Sequence, residues 1–376
     1  MGGSDKLGTL WDYEPHTAAK HRILRAYLDA WFPILASIKL AKRVVFIDGF
    51  AGPGEYSKGE EGSPAIAMRA AFEHKARFVV PVRLVFIEAD AARHAHLCKV
   101  VARRQQSIAG AANLIQVLAP IAGDCTAILE KQLDLCASDR SEFGPALVFL
   151  DQFGYSDVPM ALVQRILAHR HCEVFAYMHA EGMTRFLAQQ AIHGAVSDAF
   201  GSDAWRRALT VRPSGRAHVL AEEYERALRE RAGAKYVWRF AMHDSDGRLI
   251  YWLFFCTNSR KGLEVMKGAM LKVDTSGGHF SFSDARSPDQ LLMFNPDPNW
   301  LASHLCQSLA GRDVSVEEIE EYVLTSTPLV ACKRVLATLE RERRIDIPSP
   351  PAARRKGAFT EPKMTIHFPK APRREC

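Results

Sequence analysis

Four short apolar runs that each lead into an acidic residue constrain this chain more than any other feature. Val44-Val45-Phe46-Ile47 ends at Asp48, Val82–Ile87 at Glu88 and Ala146–Leu150 at Asp151, while Asn113–Leu118 is followed closely by Gly123-Asp124. Each run has the length and apolar continuity of a buried strand. Helix-length stretches follow them: Ser63 to about Ala76, Asp90–Arg103, Thr126–Cys136 and Val158–His169. Glu173–Met178 reads as a fifth strand. Strands alternating with helices predict a parallel sheet covered on both faces. The strand ends of such a sheet share one edge, so Asp48, Glu88, Asp124 and Asp151 gather where open α/β sheets bind ligands.

The flanking segments complete the layout. Ile23, Leu24, Tyr27, Leu28, Trp31, Ile34 and Leu35 recur at helical spacing and predict a helix over 17–40, with Thr17 as its N-cap. Ala180–Arg231 reads as helical and polar, an insertion that would form a lid or a substrate-shaping cap. Lys235–Met242 and Leu249–Thr257, joined by a polar link containing Asp246-Gly247, predict a hairpin. Five alternating strands followed by a hairpin is the class I methyltransferase layout. The expected fold is therefore α/β, a Rossmann-like domain over 1–290 with a helical insertion at 180–232. Ser283–Asn299, rich in Pro, Asp and Asn, marks a linker. Beyond it two amphipathic helices (Val316–Leu324 and Pro328–Glu342), a Pro- and Arg-rich stretch and a short strand (Met364–Phe368) predict a basic winged-helix domain over 300–376.

The turn after the first strand carries the most chemistry. Asp48 is followed by Gly49, Phe50, Ala51, Gly52, Pro53 and Gly54, a G-x-x-G-x-G turn with a carboxylate before it. Glycines let the main chain approach a nucleoside and adopt positive φ. Nicotinamide sites instead present G-x-G-x-x-G to a pyrophosphate. The carboxylate better suits S-adenosyl-L-methionine (SAM), which has an amine and a sulfonium but no pyrophosphate. Glu88 is positioned to accept ribose hydroxyls, and Asp124 with Cys125 to meet the adenine edge. His16, Thr17 and Lys20 would line the cofactor mouth, with Lys20 facing the methionine carboxylate, unless this helix face is simply solvated. In Asp151-Gln152-Phe153-Gly154-Tyr155, Asp151 could hold an amine acceptor while Phe153 or Tyr155 stacks on a base. The other reading is a strand-end turn whose aromatic rings pack beneath the next helix.

Charge and cysteine usage narrow the class. Net charge is only +6, yet residues from Lys333 onward hold 12 Lys/Arg against 5 Asp/Glu. A basic terminal module on a near-neutral body points to phosphate contacts, with Lys333, Arg334, Arg354, Arg355 and Lys356 as candidates. A solvated tail or a protein-binding module is the alternative. The eight cysteines form no C-x-x-C pair, so no metal or redox site is expected. A cytoplasmic protein is expected from the absence of an opening signal peptide. Gln105–Gly123 is uncharged but too polar for a membrane span, and Lys6 breaks a myristoylation pattern.

The chain also resembles the three-Cys-motif partner proteins of bacteria and phages. The resemblance is carried by Tyr13-Glu14-Pro15-His16-Thr17 with Lys20-His21, by Ile47 to Gly54, by Glu61-Gly62-Ser63-Pro64, by Phe149 to Tyr155, and by Thr257-Asn258 with Lys261 to Lys267. It spans nearly the whole length. It implies a SAM-dependent methyltransferase fold and a separate partner chain bearing a three-cysteine, radical-SAM-like motif. Family members commonly have Asp-Pro-Phe-Gly where this chain has Asp151-Gln152-Phe153-Gly154, a departure that bears on the carbonyl geometry and so on the amine acceptor. The His-Lys region and the strand-end acids are more distantly similar to ribosomal-RNA adenine methyltransferases. Three functions follow as expectations: methylation of a nucleic-acid base amine, a non-catalytic adaptor that brings the three-Cys partner to nucleic acid, or methylation of a small metabolite.

Overall fold

The computed structural model describes residues 9–36, 41–75, 78–107, 114–152, 158–285, 298–351 and 354–370. The chain forms two compact units, one of residues 1–276 with 280–291, the other of residues 277–279 with 292–376.

The first unit opens with α1 (Pro15–Ala36) and β1 (Val44–Asp48). There follow α2 (Ser63–Phe72), β2 (Val82–Glu88), α3 (Ala91–Ser107), β3 (Ile115–Val117), β4 (Ile121–Ala122), α4 (Cys125–Asp139), β5 (Ala146–Leu150), α5 (Met160–Leu167) and β6 (Cys172–Met178). After α6 (Ala180–Phe186), α7 (His193–Phe200) and α8 (Pro213–Glu230) come β7 (Tyr236–His243), β8 (Leu249–Thr257), α9 (Arg260–Leu271) and β9 (Ser281–Ser283). The strands form one sheet in the order β3-β2-β1-β5-β6-β8-β7-β9, with β4 also on β2. β1, β2, β3, β5 and β6 run parallel, and β8 is antiparallel to both β6 and β7. This is a Rossmann-like α/β sheet with the class I methyltransferase strand order, the reversed strand slotted between the fifth parallel strand and its own hairpin partner.

All five residues of β1 and of β5 are buried, which is what covering both sheet faces requires. One face packs against α1, α2 and α9 and buries Tyr27, Trp31 and Phe32. The other packs against α4, α5 and α6–α8. The segment expected to be a polar cap is helical but not a cap. Trp205, Phe200, Leu220 and Leu228 are buried in this second face, so the segment is the crossover from β6 to β7 and part of the core. The third strand is shorter than expected, Ile115–Val117, and beyond Pro120 a second short strand, β4, also pairs with β2. The N-terminal helix begins at Pro15 rather than Thr17, so Thr17 lies within the first turn and is not the N-cap. A proline in the first turn loses nothing, because that N–H has no helical partner.

The second unit runs α10 (Pro298–Ser308), β10 (Asp313–Ser315), α11 (Val316–Ser326), α12 (Lys333–Arg341) and β11 (Thr365–His367). β10 pairs antiparallel with β11, and an isolated bridge joins Asp346 to His367. Leu301, Leu305, Ile319, Val323, Leu336, Leu339 and Ile366 form its core. Ser315 and Glu318 make a reciprocal capping box at the start of α11. No helix among the described residues is long and apolar enough to cross a membrane.

One buried acid ties α1 to the sheet. Glu173 on β6 accepts the Tyr27 hydroxyl at 2.5 Å and the Thr257 hydroxyl at 2.7 Å, and burial holds its carboxyl above the usual range. Tyr27→Phe leaves one carboxyl oxygen without its donor. The expected cost is about 1–3 kcal/mol, read as a lower urea midpoint with an unchanged m-value.

Candidate active site

The sheet's winding reverses between β1 and β5, because β2 and β3 extend one way from β1 while β6 extends the other. The carboxyl ends of two such strands diverge into a crevice. A cavity of about 280 Å³ opens there, lined by the turn after β1, the start of α1 and the ends of β5, β6 and β8. His16, Thr17, Lys20, Phe50, Ala51, Gly52, Gly54 and Asp151 all line it. Ser63 and Gln152 join them from motifs already singled out, and Trp11, Tyr56, Tyr177 and Tyr251 from segments with no motif of their own. Tyr177 ends an apolar run and Tyr251 starts one, so in the sequence both read as core.

The turn has the backbone its glycines allow. Gly52 and Gly54 have φ of +61° and +85°, and a Cβ on Gly52 would come within 3.2 Å of the Trp11 ring. Gly49 does a different job, for its N–H bonds Phe149 O at 2.9 Å and a Cβ there would collide with Cys125 Sγ. Cys125 is thus a packing residue under the turn, with its thiol pushed up by burial, and is not part of the cavity wall.

The strand-end acids divide into two pairs. Asp151 lines the cavity and is ion-paired with Lys20, whose ammonium is buried between α1 and the sheet. Lys20 Nζ also lies 5.7 Å and 5.9 Å from the ring centres of Tyr177 and Tyr251, so those faces already receive a cation. Lys20 therefore faces a carboxylate of this chain and is not solvated. Asp48 is completely buried just behind the lining. Its Oδ1 accepts the Phe50 N–H at 3.2 Å, and its Oδ2 makes no hydrogen bond. Burial raises the Asp48 carboxyl to about 7, and nearby Asp151 adds to this while the Ser63 hydroxyl, the Phe50 N–H and Lys20 pull against it.

Glu88 and Asp124 do not line the cavity, and each holds backbone N–H donors of the turns beside it. Glu88 Oε2 accepts the Gly52 N–H at 2.9 Å, and Oε1 accepts the Asp90 N–H at 2.7 Å and Arg93 Nε at 3.2 Å. Its carboxylate braces the glycine turn instead of facing the cavity. Asp124 Oδ1 caps α4 by accepting the Ala127 N–H at 2.8 Å. Phe153 and Tyr155 lie outside the described residues. On the cavity's rim, His16 Nδ1 donates to Asp284 Oδ2 at 2.8 Å, and the Tyr251 hydroxyl donates to His16 O at 3.1 Å.

In the second unit Lys333, Arg334, Arg355 and Lys356 are exposed, Lys333 pairing with Glu320 at 3.1 Å. Arg354 is different. Its guanidinium grips Glu340 through two bonds of 2.8 Å and 2.7 Å, donates to Ala358 O and stacks over Phe359. With its donors engaged and its side chain 8% exposed, it stabilises the unit and is not free for a phosphate.

No protein-family model and no curated protein matches the chain. Among solved structures it is similar to Trm1 from Pyrococcus horikoshii in complex with S-adenosyl-L-methionine, at 12% identity and a TM-score of 0.38, over 99% of this chain and 94% of that one. The strand order, not this likeness, defines the fold class.

The Asp48 carboxyl makes stability depend on pH. Its folded value of about 7 lies above its ordinary 3.8, so the native chain keeps a proton that the unfolded chain gives up. The resulting stabilisation is complete below pH 4 and is lost as pH rises to 7. Asp48→Asn cannot titrate. Its stability relative to the natural chain should therefore climb by up to about 4 kcal/mol between pH 4 and pH 7.5 in denaturant titrations.

Proposed function

We propose that the chain is a SAM-dependent methyltransferase acting on nucleic acid, at a base amine. The observation that carries this reading is the cavity at the β1/β5 reversal, where the glycine turn, the Lys20–Asp151 pair and a set of aromatic rings meet. The residues present fit SAM. Trp11, Phe50 and Tyr56 offer flat faces for adenine, and Tyr177 and Tyr251, which already face an ammonium, suit a sulfonium. Lys20 is the charge a methionine carboxylate requires. When bound, SAM supplies an electrophilic methyl carbon.

The chain's own part is positioning and exclusion of water. Methyl transfer needs an in-line nucleophile more than acid–base machinery. Asp151 would accept an N–H of the target amine and orient its lone pair, and the tyrosine faces would hold the base. Engaging Asp151 in this way requires the acceptor to share it with Lys20. We read the second unit as a basic winged helix that adds phosphate contacts through Lys333, Arg334, Arg355 and Lys356. The resemblance to three-Cys-motif partner proteins adds a radical-SAM-like chain as a proposed partner.

Thermal shift with SAM, S-adenosylhomocysteine and NAD is the first test. A true ligand at a hundredfold excess over Kd stabilises by about 2.7 kcal/mol. Both adenosyl compounds should raise Tm and NAD should not; a rise with NAD alone would end the proposal. Lys20→Met should abolish the shift.

The basic unit makes its own forecast. Lys333→Gln, Arg355→Gln and Lys356→Gln combined should flatten the salt dependence of duplex binding by about 2–3 in log–log slope. Arg354→Ala should instead lower the thermal stability of the second unit.

A further inference from the structure

We infer that His16 is the proton acceptor of this site, held in one tautomer by Asp284. The inference rests on the methyltransfer reading above. A carboxylate only accepts hydrogen bonds, so the 2.8 Å contact from His16 Nδ1 to Asp284 Oδ2 puts the neutral ring's hydrogen on Nδ1. Nε2 is then left with its lone pair, and among the described residues it makes no hydrogen bond. His16 lines the same cavity as Asp151.

The pair is built rather than incidental. Residues 268 positions apart are brought together by β9, whose end is fastened by the Asp284 N–H to His243 O at 3.1 Å. The Tyr251 ring packs edge-on against His16, while its hydroxyl holds the His16 carbonyl. Asp284 Oδ1 is buried without a hydrogen bond, so His16 is the carboxylate's one polar side-chain partner among the described residues. An acid that fixes an imidazole tautomer and stabilises the imidazolium is a general device for making histidine a base.

The other groups facing His16 are worse suited. Asp151, just past β5, is tied to Lys20 on α1. Asp12, ahead of α1, accepts the Ser57 hydroxyl at 2.8 Å, and Glu55 is bound by His96 and Arg103. The phenols of Tyr56, Tyr177 on β6 and Tyr251 on β8 are held protonated, chiefly by burial. When an amine nitrogen bonds the methyl carbon, the carbon–sulfur bond breaks and its electron pair stays on sulfur. The nitrogen must then shed a proton. His16 Nε2 takes it, the imidazolium pairs with Asp284, and the proton leaves through the half-open rim.

Two measurements separate this inference from the reading beneath it. Histidine-selective nitrogen-15 NMR, with His16→Gln assigning the resonance, should show neutral His16 protonated on Nδ1. Asp284→Asn should erase that bias. An Nε2-protonated ring, or no response to Asp284→Asn, overturns the inference. Calorimetry with S-adenosylhomocysteine and labelled methyl transfer to bulk tRNA and plasmid DNA form the second arm. His16→Gln should retain product binding, lower the transfer rate about 10²–10⁴-fold and remove the acid limb of the pH–rate profile. Full rate with that limb intact overturns the inference. If the natural chain binds no S-adenosylhomocysteine, the methyltransfer reading falls and the base role with it. If it binds but labels neither polymer, the nucleic-acid acceptor falls, and the NMR arm still decides the pair.

Discussion

Parallel pairing of β1 on both edges is the constraint from which the candidate site follows. A strand flanked on both sides and covered on both faces is buried along its length, and the turn beyond its tip reaches an opening. β2 and β5 lie on either side of β1 and belong to opposite winding directions, so the helices that follow them separate and leave the crevice. Asp48, the last residue of β1, is completely buried behind the lining, whereas Asp151, just past the end of β5, reaches the cavity.

The Lys20–Asp151 pair then closes the opposite wall. Burying two charges is costly, and their mutual attraction offsets that cost only with good geometry. Here the pair is supported by tyrosine faces from β6 and β8. It fastens the start of α1 over the strand ends, as the His16–Asp284 bond does from the other side. The site is thus held by long-range polar contacts laid over an apolar sheet. A ligand that binds there must compete with those contacts or reuse them.

Much of this was legible in the residues. Short apolar runs ending in acids announced the parallel strands, and the polar link with Asp246-Gly247 announced the hairpin, because both follow from local periodicity and turn chemistry. The glycine turn, the Lys20 region and Asp151 were read as parts of one site, and they share one cavity. The roles of the acids were not legible. Glu88 and Asp124 end strands just as Asp48 and Asp151 do, yet one braces the Gly52 N–H and the other caps α4. A carboxylate's target depends on which backbone donors lie within about 3 Å, and strand-end position does not report that. Arg354 was misread for the same reason, since its partner Glu340 lies on another element.

By itself the sequence determined the alternation of elements, the parallel sheet and the edge at which chemistry could occur. These depend on hydrophobic period and on glycine and proline at turns, which are properties of neighbours in the chain. Only the tertiary structure decided which charges face each other, that Ala180–Arg231 is core and not lid, that Tyr177 and Tyr251 line the cavity, and that Asp284 bonds His16. Those outcomes depend on distances between residues up to 268 positions apart. Such distances are set by how the sheet twists and packs, and no local pattern encodes them.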